Sequence, residues 1–141
     1  MRLLLAVLTT ATPIPHAALL KIDHAAGYRN FLPTRMLPGF IYRGWNFRGG
    51  VLRVEFRNTA GIALWWAVAP RPGTCSAGSQ KSFQLGGNKV WWAWNGQAQF
   101  AWRCVFDQAG KPVWLVAESN APGTKLAPSG LGLVAAHAKR Y

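Results

Sequence analysis

Two pairs of adjacent tryptophans, Trp65-Trp66 and Trp91-Trp92, crowd with Trp94 and Trp102 into fewer than forty residues that read as strands. This constrains the fold more than any other feature of the chain. A period of two belongs to a β-strand, whose successive side chains point to opposite faces. Such segments build a sheet with indoles on both faces.

The clearest strand covers residues 51–57, where Leu52, Val54 and Phe56 alternate with Arg53, Glu55 and Arg57. Residues 40–47 turn into it at Gly49-Gly50, and Asn58-Thr59-Ala60-Gly61 turns out of it toward residues 62–69. Further strands are expected at 82–85, 90–94, 97–106 and 113–118, with turns at Gly86-Gly87-Asn88, Asn95-Gly96 and Asp107 to Lys111. Short connections imply antiparallel neighbours, so the expected fold is α+β, mostly β: an antiparallel meander of about seven strands.

The tail changes period. Leu131, Val134, Ala135 and Ala138 recur at i, i+3, i+4 and i+7, with Pro128 ahead of them and Lys139-Arg140 behind, the pattern of an amphipathic helix. Gly130 and Gly132 weaken its first turn, so a short, late-starting helix is expected, packed on the sheet.

Parity divides the strands into two faces. The expected core face carries Leu52, Val54, Phe56, Leu64, Trp66, Val68, Phe100, Trp102, Cys104 and Phe106. The expected opposite face carries Arg53, Glu55, Arg57, Trp65, Arg103 and Asp107, joined by Lys89, Trp91 and Trp114. The helix and the N-terminal segment are expected to cover part of it. The candidate binding residues are Arg53, Arg57, Trp65, Lys89, Trp91, Arg103 and Trp114.

Composition bounds the chemistry. The 141 residues are 50% hydrophobic, enough for one domain with its own core, and 16 Lys and Arg against four acids give a net charge of +12. That balance points to anionic partners, though arginine also serves simply to keep an aromatic-rich chain in solution. The basic residues are dispersed singly, which argues against a nucleic-acid groove.

Two cysteines, Cys75 and Cys104, are too few for a structural zinc site and lack CxxC spacing. No metal or other cofactor is expected. A disulfide between them closes a loop of about 30 residues and stabilises by roughly 3–4 kcal/mol; buried free thiols are the alternative.

Residues 1–17 read as a signal peptide, a positive start followed by an apolar run, although the residues before Ala17 and Ala18 make a poor cleavage site. A short packing helix or a misassigned start is the alternative. Residues 18–39 are expected to form a partly helical lead-in and 40–141 a single β-rich domain.

Catalysis finds little to work with. Glu55 with Asp107 or Glu118 is the available carboxylate pairing, and each acid is also a natural arginine partner. Cys75 with His137 or His24 is the available nucleophile and base. No GxSxG, HExxH, GxGxxG or Walker pattern occurs.

Leu32-Pro33 through Leu37-Pro38-Gly39-Phe40, the alternating strands, the Gly96 turn with Trp102, Leu115-Val116-Ala117 and the closing run from Leu131 to Ala136 together resemble a known group. It comprises small extracytoplasmic bacterial domains of unknown function, including those on anti-sigma regulators related to the lipoprotein-carrier architecture. The resemblance implies a curved antiparallel sheet with a small terminal helix and brings no catalytic residues. The function expected is therefore non-catalytic: a secreted or cell-envelope domain that binds or senses an acidic lipid or wall polymer. The alternative is a carbohydrate-binding module using exposed tryptophans, and the third is a small hydrolase.

Overall fold

A computed structural model describes residues 13–27, 30–70, 81–94, 96–121 and 128–140. Helix α1 (His16–Ala26) leads to a short strand, β1 (Phe31–Pro33). Seven longer strands follow: β2 (Ile41–Arg48), β3 (Val51–Arg57), β4 (Ala63–Pro70), β5 (Lys81–Leu85), β6 (Asn88–Trp94), β7 (Gln99–Phe106) and β8 (Pro112–Ser119). Helix α2 (Pro128–Ala136) and strand β9 (Ala138–Arg140) come last.

Strands β2 to β8 form one open antiparallel sheet in the order β2-β3-β4-β8-β7-β6-β5, while β1 and β9 pair as a separate antiparallel ribbon. The large sheet is two meanders laid side by side. Sequential neighbours pair throughout except at β4, whose second partner is β8. Pro70 ends β4 in the middle of the sheet, and β5 starts on the far edge.

The tight turns follow from local chemistry. Gly49-Gly50 and Gly86-Gly87 all have positive φ, as a two-residue turn matched to the twist of its strands requires. Asn58 and Asp107 each use one side-chain oxygen to accept two turn amides: Ala60 and Ile62 at 3.0 and 2.9 Å, Ala109 and Lys111 at 2.8 and 3.0 Å. Asp107 is therefore a turn residue, remote from the carboxylate pairing considered for it.

One face of the sheet is the core. Leu52, Val54, Phe56, Leu64, Trp66, Val68, Val90, Ala101, Leu115 and Ala117 on it are fully buried. Leu19, Ile22 and Ala26 of α1 and Leu131, Val134 and Ala135 of α2 join the same cluster, as does Ile14, which lies inside the segment read as a leader. The indole of Trp66 is enclosed and its Nε1 donates to the Phe31 carbonyl at 2.9 Å, tying the sheet to the small ribbon.

On β7 the expected parity is reversed. Ala101 pairs with Ala117 and Arg103 with Leu115, so Gln99, Ala101, Arg103 and Val105 face the core side; Phe100, Trp102, Cys104 and Phe106 face away. The cause is the docking of α2 over β5 to β8. A helix settles over small side chains such as Ala101 and Ala117, whereas Phe100 and Trp102 would hold it off the sheet.

Helix α2 begins at Pro128 and contains both glycines, so it does not start late. A Cβ on Gly132 would lie 2.7 Å from Leu85 Cδ1 and 2.9 Å from Phe83 Cε2, closer than packed atoms approach. A Cβ on Gly130 would find Leu37 at 3.6 Å, an ordinary contact. The two substitutions should therefore act oppositely. Gly130→Ala stabilises by up to about 1 kcal/mol through helix propensity, while overpacking of about 1–3 kcal/mol outweighs that gain in Gly132→Ala. Urea unfolding midpoints of both variants check this, and a shift in the same direction would refute the packing account.

Candidate functional site

With α2 lying over β5 to β8 on the core side and α1 beside β2, no described helix covers the second face of the sheet. Most of its residues are only partly buried, Trp102 and Ala63 being the exceptions, as the alternation along β8 records: Val113, Leu115, Ala117 and Ser119 are buried, while Trp114, Val116 and Glu118 are half-buried. The expectation that the helices would cover this face is corrected: both belong to the core cluster.

Register arranges the face into rows. One row runs Gly44, Glu55, Trp65, Glu118, Phe100; the next runs Asn46, Arg53, Ala67, Val116, Trp102, Trp91. Trp65 thus sits between two carboxylates on the neighbouring strands. With strands about 4.8 Å apart, each carboxylate stem starts one strand spacing from the indole.

An open pocket of ≈ 420 Å³ lies here, lined by Gly44, Trp45, Asn46, Arg53, Glu55, Trp65 and Glu118. Two of its features come from the edge strand. The register of β2 against β3 shifts between Tyr42 and Gly44, which is a β-bulge, and Gly44 then stands opposite Glu55 with open space where a side chain would be. The wall of the pocket is low at that point.

The charges around Trp65 are partly compensated. Arg57 holds one oxygen of Glu55 through Nη2 at 2.6 Å and Nε at 3.0 Å. The Glu118 carboxylate has no hydrogen-bond or ion-pair partner among the described residues. Arg53 is exposed beside them.

Other sequence candidates lie farther along the same face. Trp114 stacks on Trp102 with centroids 5.8 Å apart and planes 23° from parallel. Trp91 pairs in register with Trp102, and the Lys89 ammonium sits 5.3 Å from the Trp91 ring centroid. These are internal aromatic and cation–π contacts that organise the face. Cys104 stands opposite Trp114, and Cys75 lies outside the described residues.

Arg103 is the candidate that does not join this surface. It projects to the core side, where Nη1 donates to the carbonyls of Ala135, Ala136 and Ala138 at 3.2, 2.9 and 3.3 Å. Asn88 Nδ2 adds a bond to Ala136 O at 3.0 Å, and Thr34 Oγ1 donates to His137 O at 2.6 Å. The helix end is capped from the sheet rather than by a glycine. Burial pushes the Arg103 pKa down from its ordinary value. That of His137 is lowered first by burial and then by Arg35, Lys139 and Arg103. His24 is exposed on α1, on the far side of the sheet from Cys104.

Sequence reasoning named Arg53, Glu55, Trp65 and Glu118 but did not bring Asn46 and Gly44 to them. The bulge that aligns those two leaves no mark in the hydrophobic pattern. Among the described residues no group of three His, Cys, Asp or Glu could hold a metal ion, and no helix is long and apolar enough to cross a membrane. Comparison with models of protein families, with curated proteins and with solved structures finds no match to this chain.

Proposed function

We propose that this chain is a non-catalytic binding domain of the cell envelope, acting outside the cytoplasm on an anionic wall polymer. The observation that carries this reading is its unneutralised charge. The chain is +12, yet among the described residues one ion pair occurs, Arg57–Glu55. Of the other acids, Asp107 serves its turn and Asp23 accepts a hydrogen bond from Asn30. The remaining cations raise the local concentration of a polyanion without a single deep groove.

A polymer suits this surface better than an acidic bilayer, because the described residues combine dispersed cations with an open sheet face, while α1 and α2 turn apolar residues into the core rather than toward a membrane. Nucleic acid fits less well, since two carboxylates flank the tryptophan on which a base would stack. Catalysis is not part of the proposal: Glu55 is bonded to Arg57, and Cys75, the nucleophile considered with His137 or His24, lies outside the described residues.

The test is sedimentation of the full chain with isolated anionic wall polymer, and in parallel with acidic-lipid vesicles, across a salt series. Binding to the polymer should fall steeply between about 0.1 and 1 M salt as screening shortens to about 3 Å. Binding unchanged at high salt would overturn the charge-based reading, and preferential vesicle binding would reassign the partner to lipid. An export route also implies the Cys75–Cys104 disulfide, so the same secreted preparation should react with a thiol reagent only after reduction.

A further inference from the structure

We infer that the pocket at Trp65 is a subsite for one uncharged, hydroxyl-rich sugar ring, so that the polymer bound by this domain is a glycan or carries one. The inference rests on the envelope-binding reading and specifies the chemistry of its ligand.

In a chain of +12, two of the four acids stand in register on either side of one tryptophan. A phosphate or carboxylate ligand gains no net attraction at that spot, where two carboxylates flank the indole. With Arg53 in the lining and Arg57 bound to Glu55, however, the pocket is not an anionic trap for a cation either: its formal charges cancel. What remains is a neutral lining of mixed polarity on a strongly basic protein.

Such a lining matches a polyol. A carboxylate accepts hydrogen bonds from hydroxyls, and Arg53 and Asn46 donate to hydroxyl and ring oxygens. The indole of Trp65 supplies a flat apolar surface for the C–H face of a ring, the wet-edged use to which exposed tryptophan is suited. A volume of ≈ 420 Å³ lies near the small end of ligand pockets, and its openness toward Gly44 lets a chain continue past the bound ring. Glu118 provides the strongest pointer, being half-buried and placed beside the indole with no hydrogen-bond or ion-pair partner for its carboxylate among the described residues. A ligand hydroxyl would give it the donor it lacks.

Uncharged cello- and chito-oligosaccharides are the probes, titrated into the full chain and followed by calorimetry and tryptophan fluorescence. The expected result is saturable binding that changes less than about twofold between about 0.1 and 1 M salt. Trp65→Ala should weaken it about tenfold or more, the scale of one lost stacking contact. Gly44→Gln, which places a side chain in the open wall, should weaken it similarly without moving the unfolding midpoint. Trp94→Ala, removing a tryptophan that is 48% exposed on the other side of the sheet, should leave it unchanged.

Absence of saturable binding to either probe overturns the inference. So does binding that both Trp65→Ala and Gly44→Gln leave intact. The envelope reading fails separately, by salt-insensitive or absent binding to the anionic polymer, whatever the neutral sugars do.

Discussion

Trp66→Ala should destabilise the protein by about 3–5 kcal/mol, while Trp65→Ala, one residue earlier, should cost about 1 kcal/mol or less. The two indoles leave the same strand in opposite directions. Trp66 is wholly enclosed between the sheet and the core cluster, so its loss opens a cavity that packed neighbours refill only in part. It also strands the Phe31 carbonyl, whose donor is Trp66 Nε1 at 2.9 Å. Trp66→Phe should keep most of the packing and lose mainly this bond, giving an intermediate cost of about 1–3 kcal/mol. Urea unfolding of the three variants measures the series. Equal costs for Trp65→Ala and Trp66→Ala would contradict the assignment of the two faces.

The second large effect is expected at Arg103. Arg103→Met keeps an apolar stem of similar reach and removes the guanidinium, leaving the carbonyls of Ala135 and Ala138 without that donor; Ala136 retains Asn88. The expected loss is about 2–3 kcal/mol, from a charged donor at a half-buried helix C-terminus whose dipole also favours a cation. Arg103→Lys should recover part of it, because the ammonium keeps the charge but cannot reproduce the fork of donors. The consequence extends beyond the helix. Strand β9 pairs with β1, and β1 carries the carbonyl that holds Trp66, so weakening this end should expose the β1 and β9 amides to hydrogen exchange first. Uniform exchange across the sheet, with α2 and β9 still protected, would contradict a capping role for Arg103.

Much of the fold was legible in the chain. All seven strands of the main sheet lie where alternation and turn residues put them, from the Gly49-Gly50 hairpin to the Asp107 turn, and the terminal helix is present. The short ribbon of β1 and β9 was not legible, since three residues a side carry no usable period. Nor was the pairing of β4 with β8, which brings together strands separated by two hairpins. For the site, Trp65 and its charged neighbours could be named from parity, but the row that sets Glu118 beside Trp65 depends on that long-range pairing.

The face of β7 marks the boundary between what the two levels decide. By itself the sequence determined that residues 99–106 are a strand with two unlike sides, because alternation follows from the pleat alone. Only the tertiary structure decided which side met the core. Both sides of β7 are apolar enough to be buried: one offers Phe100, Trp102 and Phe106, the other Ala101, Val105 and the stem of Arg103. The choice fell to α2, which needs a shallow bed of small side chains and a cation for its terminal carbonyls, and it found both on the side where a polar residue had suggested solvent. Local periodicity is a property of one strand, whereas burial depends on the shape of whatever packs against it.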